Sequence, residues 1–406
     1  MVEQQIITRT TCRVCGSEQL TNLFSLGNIY VSTFVASETD PGIKAPLDLI
    51  ACEVCSLVQL RHTAPQELMY SKHYWYRSGL NPVITADLKQ VTEVAQQLVE
   101  LEDQDIVLDI GANDGTLLKH YPTNLIRVGC EPATNLTVEL KKVTNTVIDD
   151  FWSYETWTAL MGDKKAKIIT AFGMFYDMED PNQFLRDATY ALDPNGIFIA
   201  QLMCLKPMLD QNDLGNICHE HLEYYSYDSL RYFFEQNGLE IFRVEENSIN
   251  GGSYRLFARH LSRGSIDYGE KLTHNDYMDF FNRINENRDS CVSFIKSETE
   301  KGKKVYAYGA STKGNSILQY YGLDNRHIVG AADKDPEKWG KYTIGTLIPI
   351  VDEDTAREQA DYFLVLPWAF FETFFEREQE WLNQGGQFIV PIPNFRIVGR
   401  DDAHTR

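Results

Sequence analysis

Two successive runs of alternating apolar strands and helical stretches, behind a segment with paired cysteines, predict an α/β protein in three parts. The parts are a small N-terminal four-cysteine module, a Rossmann-like core and a second, C-terminal Rossmann-like α/β domain. A length of 406 residues supports the division, since domains usually hold about 100–200 residues. The expected limits are 1–65, 66–275 and 276–406.

Of 8 cysteines, four form two knuckles, Cys12-Arg13-Val14-Cys15 and Cys52-Glu53-Val54-Cys55. Each CxxC sets two sulfurs on one side of a tight turn, and four thiolates can surround one Zn²⁺ tetrahedrally. Gly16, directly after the first knuckle, suits that turn. Four protein ligands leave no open position, so the metal is expected to be structural. Short strands are expected at Leu47–Ala51 and Leu57–Leu60, while Cys130, Cys204 and Cys291 read as core residues.

From Ala64 to about Glu102 the pattern turns helical, with Val83, Ala86, Leu88, Val91, Val94, Ala95 and Leu98 near one stripe. Strands follow at Ile106–Ile110, Ile126–Cys130, Ile168–Phe172 and Ile197–Met203, and a helix is expected at Leu117 and Leu118. Leu239–Val244 and Tyr254–Arg259, joined through Asn250-Gly251-Gly252, predict an antiparallel hairpin closing the sheet. Such a doubly wound sheet binds its ligand beyond the carboxyl ends of its strands.

The first strand runs into Asp109-Ile110-Gly111-Ala112-Asn113-Asp114-Gly115, a D-x-G-x-x-x-G order unlike the dinucleotide G-x-G-x-x-G. Gly111 and Gly115 would let the backbone approach a ligand, and Asp109 and Asn113 flank that approach. Glu131 ends the next strand, where an acid can accept hydrogen bonds from a ribose diol. Asp150 and Phe151 end the following segment, placed for an adenine amino group and the face of its ring. Without those acids the loop alone would read as an ordinary strand-to-helix turn.

Residues Tyr277–Lys303 form a polar helical connector, after which the α/β alternation resumes. Strands are expected at Lys304–Tyr308, Ile328–Ala332, Tyr362–Leu366 and Gln387–Val390, with a helix over Ser316–Tyr321. Between the first strand and that helix, the amides of Gly309–Asn315 with Ser311, Lys313 and Asn315 could hold a pyrophosphate. The alternative is a tight turn with a solvated lysine. Trp368, Phe370, Phe371, Phe374 and Phe375 read as helix core rather than a base-stacking platform.

The formal charge of −20 weighs against nucleic acid or an anionic membrane as partner, and no apolar run approaches the length of a bilayer span. The N-terminal residues lack a signal-peptide pattern, so a cytoplasmic location is expected.

Taken together the motifs resemble the zinc-containing sugar C-methyltransferases, which alkylate nucleotide-linked 4-ketohexoses, usually at C-3. The likeness spans nearly the whole chain. It rests on the CxxC pairs, Tyr74-Trp75-Tyr76-Arg77-Ser78-Gly79, the Asp109–Gly115 loop, His219-Glu220-His221 with Tyr224-Tyr225-Ser226, Gly251-Gly252-Ser253, and Tyr308–Asn315. The resemblance implies a class I S-adenosylmethionine-dependent core, with S-adenosylmethionine (SAM) held by the Asp109 loop, Glu131, Asp150 and Phe151. It implies His221 as the base that removes a proton beside a ketone, with Glu220 beside it and Tyr76 near the reacting face, while Tyr176 or Asp177 could substitute for polar groups that the family carries and this chain lacks. His219, Tyr225 and Ser253 are then expected to meet the sugar, and Ser311, Lys313 and Asn315 its nucleotide. From the residues alone, His221 and Glu220 would read as a capping or core pair.

Two departures stand out. Sugar-modifying members carry Tyr where this chain has Cys218, and an Asn-to-His pattern where it reads Phe172-Gly173-Met174-Phe175-Tyr176-Asp177. Both bear on the substrate and the methylated atom, not on cofactor or fold. Two other readings follow: methyl transfer to oxygen, nitrogen or another carbon of a related metabolite, and a non-catalytic zinc-ribbon protein sensing a nucleotide.

Overall fold

The computed structural model describes residues 6–40, 42–65, 69 and 76–404. Strand β1 (Leu20–Tyr30) pairs antiparallel with β2 (Lys44–Cys52), and β2 with β3 (Val58–Leu60). Both knuckles lie at one end of this sheet.

The central sheet has seven strands. Its first strand in the chain, β4 (Ile106–Ile110), is buried at every position, as expected of a parallel strand covered on both faces. On one side lie β5 (Ile126–Cys130) and then β6 (Thr146–Ile148), both parallel to it. On the other lie β7 (Ala166–Phe172) and β8 (Leu192–Met203), also parallel. The order therefore reverses between β4 and β7, which opens a crevice at their carboxyl ends. The predicted hairpin is present: β11 (Ser253–His260) pairs antiparallel with β8, and β10 (Leu239–Asn247) lies outermost.

The long N-terminal helical stretch contains α1 (Pro82–Leu98), which Asn81 caps and whose first turn Pro82 takes; Met69 is helical too, and 66–68 and 70–75 lie outside the described residues. One helical expectation changes. The helix expected at Leu117 and Leu118 is a single tight turn, Leu118–His120. Pro122 follows, and it drives Tyr121 into extended backbone (φ −80°, ψ 147°). Helices α2 (Thr134–Val143), α3 (Tyr154–Met161), α4 (Pro181–Ala191) and α5 (Tyr227–Gln236) complete the core's helical layers.

The connector is one helix, α6 (His274–Glu300), and it is more than a spacer. Its stripe of Tyr277, Phe280, Ile284, Cys291 and Ile295 packs into a core shared by the N-terminal sheet and the C-terminal domain. Phe281 stacks on Phe24 of β1 at 4.7 Å.

The C-terminal sheet has six strands, with β12 (Val305–Tyr308), β13 (Gly330–Asp333), β14 (Ile350–Asp352), β15 (Tyr362–Val365) and β16 (Gln387–Val390) parallel. An antiparallel β17 (Arg396–Val398), absent from the sequence expectation, closes its edge. Its order also reverses at the first strand, between β12 and β15. Helix α7 (Thr312–Tyr321) begins at that switch point, capped by Ser311, whose side chain accepts from the Gly314 amide.

The N-terminal module is tied to both partners. A two-residue strand, β9 (Glu223–Tyr224), directly after the His-Glu-His run, pairs with β3 and becomes the fourth strand of the module's sheet. Phe34–Val35 pairs with Tyr342–Thr343 of the C-terminal domain. Among the described residues no helix is long and apolar enough to cross a membrane.

Candidate active site and zinc centre

Sulfurs of Cys12, Cys15, Cys52 and Cys55 all lie within 4.8 Å of one another. Cys12 and Cys55 are 3.5 Å apart, and Cys15 and Cys52 are 3.4 Å apart. A tetrahedron with Zn–S of about 2.3 Å has edges of about 3.8 Å, so the quartet fits one zinc ion, and among the described residues no fifth His, Cys, Asp or Glu joins it.

Between the thiolates of the first knuckle, Arg13 turns inward and is fully buried. It donates to Gln59 (3.1 Å), the Leu60 carbonyl (2.5 Å) and Thr63 (2.7 Å). Its Nε stands 3.4 Å from Glu179 and 3.7 Å from Glu223. Glu223 in turn accepts from the Met178 amide. The knuckle thus grips both segments around the candidate catalytic loop, a role its CxxC spacing gave no sign of.

A cavity of about 720 Å³ lies where the three parts meet. Its walls take Phe34 from the N-terminal module, Gly111 and Glu131 from the core, and Ser311 and Trp368 from the C-terminal domain.

At the core end, Gly111 adopts φ +74°, and a Cβ there would come within 2.7 Å of Met174. Asn113 is likewise left-handed (φ +51°), and its amide donates to Glu131 Oε2 at 2.9 Å. Glu131 Oε1 accepts from Ala133 at 2.9 Å. The carboxylate is thereby aimed into the cavity with lone pairs to spare for a diol. Burial raises its pKa. The Asn113 side chain also accepts from the Ser78 amide (3.0 Å) and donates to the Tyr76 carbonyl (3.1 Å). It thus straps residues 76–78 across the crevice. Tyr74 and Trp75 lie outside the described residues. Tyr76 lines the cavity while 45% of its surface stays exposed, and desolvation of its hydroxyl end pushes the phenol up to about 12, so the hydroxyl stays a donor. Phe151 lines the cavity too.

Three core positions serve differently from expectation. Asp109 lies beneath the loop rather than on the cavity wall, accepting from Thr170 Oγ1 at 2.6 Å. Gly115 (φ +80°) allows packing on α2, where a Cβ would meet Val143 at 2.4 Å. Asp150 spends one oxygen on the next amide, Phe151 N, at 2.7 Å and does not face the cavity.

Burial lifts Asp109 to about 7, so the native state holds a proton that the unfolded chain releases near pH 4. Stability is therefore expected to fall as pH rises from about 4 to about 7 through this group. Asp109→Asn keeps the acceptor for Thr170 and should flatten that decline, as measured by denaturant melts across the same range.

At the opposite wall, His221 is buried and its Nδ1 lies 2.7 Å from the Asn216 carbonyl oxygen. A carbonyl only accepts, so Nδ1 carries the hydrogen and Nε2 is left as the basic nitrogen. The Tyr176 ring meets the imidazole edge-on at 4.5 Å. The Tyr176 hydroxyl donates to Gly173 O at 3.0 Å, and its carbonyl accepts from the amides of Leu222 and Glu223. Burial, and then the charge of Lys313, hold the His221 pKa well below its usual value. Glu220 lines the same wall; burial raises its pKa, partly offset by Thr312 and Lys313. The Cys218, Glu220 and His221 ligand atoms lie within 4.8 Å of one another.

His219, Tyr225 and Asn315 stay outside this wall. His219 faces the N-terminal sheet, its Nε2 lying 2.8 Å from Ala45 O. Tyr225 is buried and stacks on Phe233 at 5.7 Å, because the residue after β9 points into the core. Asn315 is spent on Ile344 O (3.0 Å) and Thr346 (3.0 Å). Ser253, Ser311 and Lys313 do reach the cavity. Trp368 and Phe370 also line it, whereas Phe371 and Phe375 pack in the domain core as expected. Trp368 Nε1 donates to Asp213, a buried carboxylate of the core, at 2.9 Å. Asn216 and Asp213 carried no signal in the sequence, since neither sits in a spaced motif.

Three domain families match in succession: a zinc binding domain over residues 12–70, a methyltransferase domain over 86–244 and a C-methyltransferase C-terminal domain over 248–393. The C-methyltransferase NovU of Streptomyces niveus is 29% identical over 418 residues, covering 97% of this chain and 97% of that protein. Among solved structures, magnesium protoporphyrin IX methyltransferase of Synechocystis PCC 6803 with bound SAM is 14% identical. It matches 44% of this chain and 82% of its own, with a TM-score of 0.33. The mitomycin 7-O-methyltransferase MmcR is 15% identical over 45% of this chain and 55% of its own, with a TM-score of 0.35.

Proposed function

We propose, from the premise that the chain belongs to the zinc-containing, SAM-dependent C-methyltransferases, that it methylates a carbon beside the ketone of a nucleotide-linked deoxy-ketosugar. The observation that carries this reading is the imidazole of His221, its Nδ1 tied to Asn216, in the wall of the cavity that Glu131 and Gly111 also line. When bound, SAM supplies an electrophilic sulfonium methyl group. Glu131 would take the ribose diol, Gly111 leaves room for the cofactor's approach, and Phe151 offers a face to the base. His221 Nε2 would remove the proton beside the ketone, with Tyr76 a protonated donor across the cavity.

In this reading residues 66–275 hold the cofactor and 276–406 grip the nucleotide, with Ser311 at the α7 N-terminus and Trp368 and Phe370 at the rim. Among the described residues the acidic side chains of the cavity outnumber its ammonium groups, Lys313 and Lys338, which favours the α7 N-terminus for a diphosphate. Cysteines kept reduced as zinc ligands suit the reducing cytoplasm as the site of action.

Phe172 and Cys218, where sugar-modifying relatives carry polar groups, favour methyl transfer to oxygen, nitrogen or another carbon as the second reading. Incubation with SAM and a panel of nucleotide-linked 4-ketohexoses, with free ketohexoses as controls, tests the substrate class. Methylated product only from the nucleotide-linked sugars is expected. Equal turnover of the free sugars, or turnover of neither set, would count against it.

A further inference from the structure

The C-terminal domain sends an ammonium group to the reacting face. Lys313, the second residue of α7, places Nζ 3.2 Å from Asn216 Oδ1 and 3.2 Å from Met203 Sδ. An amide oxygen and a thioether are neutral acceptors, the second a weak one, and they occupy two of its three N–H donors. Lys338, the other ammonium of the cavity wall among the described residues, is by contrast spent on Asp333 (3.1 Å) and the Ala310 carbonyl (2.8 Å). Asn216 is itself buried and holds both partners at once: its side-chain oxygen takes Lys313, and its backbone oxygen takes His221 Nδ1 at 2.7 Å. One residue thus fixes a neutral base and a cation side by side on a shared wall.

Forming an enolate requires that pairing, a base at the C–H and a donor at the adjoining carbonyl oxygen. We propose that Lys313 is a catalytic residue that donates a hydrogen bond to the substrate ketone oxygen and stabilises the enolate charge, rather than gripping the diphosphate. The proposal rests on the C-methyl-transfer reading above. The proton leaves carbon for His221 Nε2, and the C–H electron pair becomes the C=C bond of the enolate. The carbonyl π pair moves onto the oxygen facing Lys313. When that C=C pair bonds to the methyl group of SAM, the S–CH₃ pair returns to sulfur and the carbonyl is restored. No oxidant or reductant is involved. The charge of Lys313 also helps keep His221 neutral and ready to accept a proton.

The test separates proton removal from methyl transfer. Holoenzyme with S-adenosylhomocysteine and a nucleotide-linked 4-ketohexose in D₂O should exchange the proton beside the ketone, followed by NMR. Lys313→Met should slow this exchange about 10²–10³-fold, the usual loss for one donor to a developing oxyanion. S-adenosylhomocysteine affinity should stay within a few-fold, which also reports that the variant is folded. Lys313→Ala should regain exchange on addition of methylammonium.

A pH profile adds a second readout. Around His221 stand Cys218, Glu220, Glu223 and Tyr224 on its own loop and β9, Tyr176 and Asp177 after β7, Cys204 after β8, Asp213 before Asn216, and Lys313 on α7. Removing the Lys313 charge should move the acid limb of the rate to higher pH. Wild-type exchange rates in Lys313→Met with only KM raised would overturn the proposal. If the wild type itself transfers methyl groups but exchanges no proton, the C-methyl reading fails instead, and the proposal with it.

Discussion

Replacing His221 with Asn is expected to abolish methyl transfer while leaving S-adenosylhomocysteine affinity within a few-fold of wild type. Asn keeps a donor for the Asn216 carbonyl but supplies no base, and a positioned general base is worth about 10²–10⁴ in rate. The groups proposed to hold the cofactor sit on other segments, the loop after β4 and the end of β5, so their hydrogen bonds should survive. In the wild type, burial and Lys313 hold His221 below its usual range, so its imidazole is neutral through physiological pH. Turnover should accordingly hold as pH falls to about 6.5 and fail only below that. Calorimetry with S-adenosylhomocysteine and a pH–rate profile check both points. A variant that loses cofactor binding along with turnover would assign His221 a structural role.

Removing zinc is expected to have an effect of similar size by a different route. Binding of a structural zinc is worth about 10–16 kcal/mol in zinc-finger peptides, comparable to or larger than the whole stability of a small domain. The N-terminal module should therefore melt without it. The consequence reaches the reacting face because β9, two residues beyond His221, is a strand of the module's sheet. The Leu60 amide also donates to the Leu222 carbonyl at 2.9 Å, and Arg13 holds Glu223 and Glu179 from inside the first knuckle. Chelation should lower the melting temperature and remove turnover together, while the seven-stranded sheet still binds S-adenosylhomocysteine. A metal-free protein that melts as before, or that keeps full turnover, would contradict the structural role of the four cysteines.

Most of the parallel strands were legible because burial on both faces writes itself as unbroken apolar runs, whereas the three-residue β6 and β14 were too short to form one and were missed. The core strands at Ile106–Ile110 and Ile126–Cys130 have the expected limits. The knuckles were legible because chelation demands fixed spacing, and Glu131 because acids seldom end a buried strand without a partner. What escaped depended on contacts across parts of the chain. β9 is two residues long, too short for any periodicity, and its fourth-strand role depends on β3 some 160 residues earlier. His219 and His221 are alternate neighbours on a tight loop, so one faces the cavity and the other Ala45. Only the packing tells which. Trp368 and Phe370 share an aromatic-rich stretch with true core residues, and the short turn that lifts them to the rim left no sequence mark. Lys313 was visible as a cation near a helix start, but not as a neighbour of Asn216, nearly a hundred residues before it.

The central claim is that the methyl group goes to carbon beside a ketone. It is tested most directly by giving the enzyme SAM carrying a ¹³C methyl group together with a nucleotide-linked 4-ketohexose, and locating the label in the product by NMR. The account predicts a ¹³C methyl bonded to the ring carbon next to the carbonyl, with loss of that carbon's hydrogen signal. A label on oxygen or nitrogen would contradict it, and would make His221 a base for a different acceptor.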